Sequence, residues 1–210
     1  MLVTELIPAE QPGSPRLMVV LHGLGDSMEG YRWLPEAMNL PWLNYLLVNA
    51  PDEYYGGLSW YDIYGECGPG IERSRGLLIE LLDSLPAKGF AAEQTVLFGF
   101  SQGCLMVVEV GTRYPRRLAG CVGISGYVQE VARVIRDFSP VAREQRFLAT
   151  HGTADPLLPI GPVRQQFAAL KAGGLQVEWH EFDKVHTIAG EAEMAVIRNF
   201  VSARFNGQPA

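Results

Sequence analysis

Residues 99–103 read Gly99-Phe100-Ser101-Gln102-Gly103, the G-x-S-x-G spacing in which a serine sits on a sharp strand-to-helix turn with its hydroxyl exposed. The apolar run Thr95 to Phe98 precedes the motif, and a helical pattern through Val107, Val108 and Val110 follows it. Both glycines have a physical cause, since so tight a turn admits no side chain two residues either side of the serine. The helix that begins there directs backbone N–H groups and partial positive charge at a nearby anion. Ser101 is therefore the candidate nucleophile. Ser125, in Gly123-Ile124-Ser125-Gly126, is its rival, but Tyr127 stands where the second glycine is needed and no helical pattern starts there.

A serine hydroxyl is a weak nucleophile at neutral pH until a base takes its proton, and the base needs a carboxylate to orient it. Four histidines are available. His22 and His151 each end a strand pattern before a glycine, and His180 lies inside the last strand pattern. His186, in the loop Asp183-Lys184-Val185-His186-Thr187 between that strand and the final helical pattern, is the best placed. For the acid, the loop His151-Gly152-Thr153-Ala154-Asp155-Pro156-Leu157-Leu158-Pro159 offers Asp155. Asp183 competes because it is close to His186 in sequence, though it reads more readily as a turn residue. In the order Ser101, Asp155, His186 each member follows a different strand. Ligands of open parallel sheets gather at the carboxyl ends of the strands, so the three are expected to meet at one edge.

Attack by the serine leaves an oxygen negative, and donors aimed at that oxygen usually contribute most to the rate. One expected donor is the backbone N–H of Gln102, directly after the nucleophile. The loop after the first apolar run, Leu21-His22-Gly23-Leu24-Gly25-Asp26, should supply the other, assigned to Leu24. Its glycines let the backbone approach a substrate closely. A phosphate-binding role for this loop is the weaker reading, because Met28 replaces the third glycine of G-x-G-x-x-G.

These residues must be positioned by something, and the hydrophobic pattern indicates what. Short apolar runs at Leu17 to Leu21, Tyr45 to Ala50, Thr95 to Phe98, Leu118 to Ile124, Arg146 to Thr150 and Gln176 to Phe182 predict strands. Most lack polar alternation, as strands covered on both faces should. Helical periods fill Ile71 to Leu85, Gln102 to Tyr114, Pro162 to Ala172 and Ala189 to Phe205. The alternation predicts an α/β class with a largely parallel sheet. Gly23 to Asn44 and the Gly- and Tyr-rich stretch Pro51 to Gly70 fall outside it and read as long loops, which usually carry function.

Composition sets the outer bounds. The chain has 210 residues, enough for one domain spanning 1–210 and too few for a second independent core. With 17 Lys and Arg against 23 Asp and Glu, the net charge is −6, and no basic block stands out, so no nucleic-acid partner is expected. Apolar residues make up 48% and charged residues 19%, a balance that suits a folded chain rather than a disordered one. Cys67, Cys104 and Cys121 match neither a disulfide framework nor a zinc spacing, and read as reduced thiols of a cytoplasmic protein. The first ten residues lack a basic leader and no apolar run is long enough to cross a bilayer, so neither export nor integral membrane contact is expected.

Taken together, the chain resembles the phospholipase/carboxylesterase family of α/β-hydrolases, the group that includes acyl-protein thioesterases. The resemblance runs through Leu21-His22-Gly23-Leu24-Gly25-Asp26, Ser59-Trp60-Tyr61-Asp62, Gly99-Phe100-Ser101-Gln102-Gly103, Ser125-Gly126-Tyr127, and His151-Gly152 with Asp155-Pro156 and Pro159. It implies an α/β-hydrolase fold, Ser101 as nucleophile with Asp155 and His186 as partners, and Leu24 and Gln102 as oxyanion donors. It further implies hydrolysis of carboxylic esters or thioesters, no metal, and often a homodimer. Two departures stand out: Cys104 follows Gly103 where a small residue such as glycine is usual, and Lys184-Val185 precedes His186 where glycine is common.

Only about 20 residues separate Ile124 from Arg146, too few for the helical cap that other proteins of this fold insert. The expected site is open, without a large cap domain and without a cofactor. It suits a small-molecule or lipid ester of short to medium acyl chain, or an acyl group on a protein. The loop Pro51 to Gly70, with Trp60 as anchor, is the expected acyl wall, and Leu157 and Leu158 beside Asp155 are a second one. Rival readings are another hydrolase of the same fold, either peptidase-like or dienelactone hydrolase-like, and a non-catalytic binding protein. The dienelactone hydrolases normally use a cysteine, and no cysteine occupies the motif here. A binding protein derived from an enzyme would generally have lost a member of the serine, acid and histidine set, and none is missing.

Overall fold

The computed structural model describes residues 1–205, so the last five positions of the expected 1–210 unit lie outside the described residues. In chain order the elements are β1 (Thr4–Ile7), β2 (Leu17–Leu21), α1 (Leu34–Met38), β3 (Asn44–Val48), β4 (Asp52–Tyr54), β5 (Gly57–Ser59) and α2 (Cys67–Ser84). There follow β6 (Thr95–Phe100), α3 (Gln102–Gly111), β7 (Gly120–Ile124), α4 (Val131–Arg136), β8 (Arg146–Gly152), α5 (Ile160–Ala172), β9 (Gln176–Phe182) and α6 (Gly190–Phe205).

Seven of the strands form one sheet in the order β1-β3-β2-β6-β7-β8-β9, parallel throughout except for β1, which runs antiparallel to β3 at one edge. Every residue of β2, β3 and β7 is buried, as expected for apolar runs without alternation. The pleat sends alternate side chains to opposite faces, so Leu17, Val19 and Leu21 join a core with Ile71, Leu78 and Leu82 of α2 and Phe167 of α5. Met18 and Val20 join a second core with Leu34 and Met38 of α1 and Ile197 and Val201 of α6. Helices thus cover both faces, the doubly covered architecture that the strand and helix patterns predict.

Register brings the carboxyl ends of the central strands to one edge. Leu21 pairs with Gly99, Gly99 with Gly123, Gly123 with Ala149, and Ala149 with Trp179. The segments leaving β2, β6, β8 and β9 therefore emerge side by side, and between β7 and β8 lie only α4 and a short 3₁₀ turn rather than a cap.

Several expected boundaries shift. β3 is Asn44–Val48 rather than Tyr45 to Ala50, and β6 and β8 each extend two residues toward the site. α2 begins at Cys67, four residues before Ile71, because Pro69 sits in its first turn, where a missing N–H costs nothing. Pro51 to Gly70 is not wholly a loop: β4 and β5 form an antiparallel hairpin within it, too short for a periodic signal. β1 was equally silent, being a four-residue edge strand with no fully buried residue.

Candidate active site

At the edge where the strands end, His186 lies between Ser101 and Asp155. Its Nε2 is 2.9 Å from Ser101 Oγ and its Nδ1 is 2.7 Å from Asp155 Oδ2. The carboxylate only accepts, so Nδ1 carries the proton and Nε2 is left to accept from the serine hydroxyl. Residues 85 and 31 positions apart in sequence are thus joined in one hydrogen-bonded chain. Ser101 follows β6, Asp155 follows β8 and His186 follows β9.

The turn that presents Ser101 is strained, with φ 54° and ψ −115° between β6 and α3. Its amide is held by the carbonyl of Ile124 at 2.9 Å. Backbone explains both motif glycines: a Cβ on Gly99 would lie 2.3 Å from the Gly103 carbonyl oxygen, and one on Gly103 would lie 2.2 Å from that of Leu21. Ser125 also has a positive φ, of 48°, but it is fully buried, which withdraws it from any substrate.

Asp155 has no exposed side-chain surface. Its Oδ1 accepts the amides of Leu157 and Leu158 at 3.0 and 2.9 Å, which fixes the carboxylate plane while Oδ2 serves His186. Burial by itself pushes this carboxyl up, but the Leu158 amide, His186 and the Leu157 amide together outweigh it and hold the group below its ordinary value. Asp183, the competing acid, is exposed. Of the other histidines, His151 is buried, with Nε2 directed to the Leu158 carbonyl at 2.8 Å and 3.6 Å from Asp155 Oδ2. Burial lowers its pKa, so it stands as a neutral wall behind the acid. His180 pairs with Glu178 on the surface.

His22 turns out to organise the loop that carries Leu24. Its Nδ1–H donates to the Gly23 carbonyl at 2.6 Å and its Nε2 accepts the Ala50 amide at 3.0 Å. Burial lowers the pKa of this imidazole, in keeping with that neutral form. Gly25, at φ 77°, turns the loop back so that its amide and the carbonyl of Asp26 bond to Leu58 of β5. Among the described residues the amides of Gly25 and Asp26 bond to the carbonyls of Leu58 and Gly23, whereas that of Leu24 bonds to no backbone carbonyl. Gln102, as the first residue of α3, has no carbonyl one turn earlier for its own N–H. A Cβ on Gly23 would come within 3.3 Å of Ser101 Cβ, so the Leu24 loop lies directly against Ser101.

Trp60 corrects an expectation. Rather than walling a substrate site, it is completely buried, and its indole N–H donates to the His22 carbonyl at 2.9 Å. Its bulk and its donor are both used to hold the Leu24 loop, which leaves no face for an acyl chain. The side chain of Gln102 was not anticipated either: Oε1 accepts the Trp60 amide at 2.9 Å and Nε2 donates to the Tyr61 carbonyl at 2.9 Å. A glutamine directly after Ser101, with a Trp-Tyr pair in a Gly-rich loop, is the available signal. Leu157 is 69% exposed beside the acid and Val185 is 54% exposed beside His186, whereas Leu158 is half-buried against the core. Cys104, the residue unusual after Gly103, is buried with its thiol pushed up to about 12, and its sulfur fills the space over Gly123 and Gly126. Among the described residues there is no cluster of His, Cys, Asp or Glu that could hold a metal ion.

The fold and this site define an α/β-hydrolase. The family model described as Phospholipase/Carboxylesterase matches residues 4–205, and the chain belongs to that family. It is 36% identical over 155 residues to acyl-protein thioesterase 1 of Schizosaccharomyces pombe, covering 68% of this chain and 69% of that protein. It is 29% identical over 203 residues to acyl-protein thioesterase 1 of Yarrowia lipolytica, covering 88% and 89%. The crystal structure of esterase PE8 superposes with a TM-score of 0.86 at 24% identity, covering 96% of this chain and 98% of that one, a likeness of fold. The protein is thus a hydrolase acting on esters or thioesters. No helix among the described residues is long and apolar enough to cross a membrane.

Proposed function

We propose that the protein cleaves carboxylic esters or thioesters of short to medium acyl chains through an acyl-enzyme on Ser101. His186 Nε2 takes the Ser101 proton as Oγ attacks the acyl carbon, and the C=O pair moves onto oxygen. The amides of Leu24 and Gln102 face that oxyanion. When the tetrahedral species collapses, the proton passes from His186 to the departing alkoxide or thiolate, leaving the acyl group on Oγ. Water then attacks the acyl carbon as one of its protons passes to His186 Nε2, and when this second tetrahedral species collapses the C–Oγ bond breaks, the carboxylic acid leaves and His186 hands the water-derived proton to Ser101 Oγ. Asp155 holds Nδ1–H throughout and stabilises the imidazolium.

What supports this reading above all is the placement of His186 Nε2 2.9 Å from Ser101 Oγ with Nδ1 on a buried carboxylate. Chemistry of this kind needs no metal or organic cofactor. The absence of a cap between β7 and β8 favours an open site that admits lipid esters and acyl groups on proteins, with the exposed Leu157 as the apolar contact for the chain. A cysteine-based mechanism has no support, since Cys104 and Cys121 are buried with raised pKa values and none of the three cysteines stands on the strained turn. The test is Ser101→Ala. It is expected to abolish p-nitrophenyl ester hydrolysis and labelling by a fluorophosphonate probe while the far-UV circular dichroism is kept; continued labelling of that variant would move the nucleophile elsewhere.

A further inference from the structure

Between β9 and α6 the chain buries two opposite charges that the proposed chemistry does not use. The side chain of Lys184 is 2% exposed and that of Glu193 is not exposed at all, and Lys184 Nζ lies 2.5 Å from Glu193 Oε1. The other oxygen, Oε2, accepts the amide of Ala189 at 2.6 Å. One carboxylate therefore grips both ends of the segment 184–189, and His186 sits between the two grips. The backbone of Lys184 also reaches the acid: its carbonyl accepts the amide of Ala154, next to Asp155, at 3.2 Å. A Cβ on Gly152 would lie 2.3 Å from that same carbonyl oxygen, so the segment is pressed against the end of β8.

Apart from these grips, the two bonds of His186 itself and its contact with the Phe100 ring, the segment is held by short-range backbone bonds of Lys184 and Thr187. Val185 and Thr187 are exposed, and the apolar anchor within the segment is the half-buried Ile188. Stability alone is a poor reason for such a pair, because replacing a buried ion pair with apolar residues of similar volume is often neutral or stabilising. Burial pulls the Lys184 ammonium down in pKa, while Glu193 and Asp155 oppose that pull.

We propose that the Lys184–Glu193 ion pair is a positioning device for the base, fixing the segment so that His186 reaches Ser101 and Asp155 at the same time. The inference rests on Ser101, Asp155 and His186 acting as proposed above. Neither charged residue touches substrate; both act through the imidazole. Displacing reacting groups by about 1 Å costs up to about 100-fold in rate, which sets the scale of the effect.

The discriminating variants are Lys184→Met, Glu193→Gln and the two combined, assayed with a p-nitrophenyl ester, by fluorophosphonate labelling rate and by thermal melting. Each single change strands a partner, and is expected to lower kcat about 10- to 100-fold with KM within about 2-fold, together with a lower Tm. The double variant leaves no stranded charge. Its Tm is expected to recover toward that of the unchanged protein, while kcat and labelling rate stay low because residue 184 is no longer tied to residue 193. A double variant whose kcat recovers together with its Tm, or whose kcat and Tm fall together, would overturn the proposal, since either result describes a purely structural pair. Ser101→Ala, run alongside, separates the two failures. Loss of labelling in Ser101→Ala with undiminished labelling in the double variant sinks only the positioning role, whereas labelling that survives Ser101→Ala sinks the serine mechanism itself.

Discussion

Gln102 and Trp60 are joined through backbone and side chain: Oε1 of the glutamine accepts the amide of the tryptophan at 2.9 Å. The residue directly after Ser101 thereby anchors the loop whose indole holds the His22 carbonyl. The same two residues thus tie together the two segments proposed to supply the oxyanion donors. Gln102→Leu keeps the backbone N–H but leaves the buried Trp60 amide unpaired. It is expected to cost about 1–3 kcal/mol in urea denaturation and to lower kcat, with the fluorophosphonate still attached at Ser101.

The contact between Gly103 and β2 gives a second expectation. A methyl group there meets the carbonyl oxygens of Leu21 and His22, which are backbone and cannot rotate away. Gly103→Ala is expected to lose about 1–3 kcal/mol of stability, and to lose activity as well because the end of β2 leads directly to Leu24. Gly68→Ala, at a position where the added methyl group meets nothing, should leave ester hydrolysis intact and serves as the control.

Asp155 links activity to acid stability. Asp155→Asn is expected to lower kcat by about 10³- to 10⁴-fold, since an amide in that position favours the wrong imidazole tautomer. In the folded chain the carboxyl pKa lies below its ordinary value, so folding favours the ionised form. That contribution is complete above the unfolded pKa of about 3.9 and is lost as pH falls through the lower folded value. Urea midpoints measured from pH 6 downward should therefore show the unchanged protein losing stability in acid more steeply than Asp155→Asn.

Leu157 tests the acyl contact. Being largely exposed, it contributes little to folding, and Leu157→Ser should leave stability within about 0.5 kcal/mol. If half of the side chain is covered by a bound acyl group, the loss is about 1 kcal/mol, or roughly 5-fold in kcat/KM for octanoyl esters, with acetyl esters unaffected. A chain-length series with p-nitrophenyl esters reads this directly; equal losses for acetyl and octanoyl esters would remove Leu157 from the acyl site.

Much of this architecture is legible in the residues alone, for identifiable reasons. β2 and β9 match their expected ranges because long apolar or alternating runs bounded by turns leave little choice of register. Ser101 is legible because a backbone constraint forces glycines at two fixed positions. Asp155 and His186 follow from topology, since each leaves the carboxyl end of a parallel strand. What stayed hidden depends on partners distant in sequence. β1 exists because β3 offers it an edge, and β4 and β5 because Leu58 bonds to the Gly25–Asp26 backbone. Trp60 departs from its expected place for a related reason: aromatic residues in a Gly-rich loop suit a binding wall and a buried prop equally well, and only the His22 carbonyl decides between them.

The order of the strands along the chain has a consequence for biosynthesis. The alcohol of Ser101 and the acid of Asp155 leave the ribosome well before the imidazole that follows β9. On the mechanism proposed above, a nascent chain halted after β8 would carry the hydroxyl without its base and stay silent toward neighbouring esters, so hydrolytic power is withheld until the segment after β9 has been made.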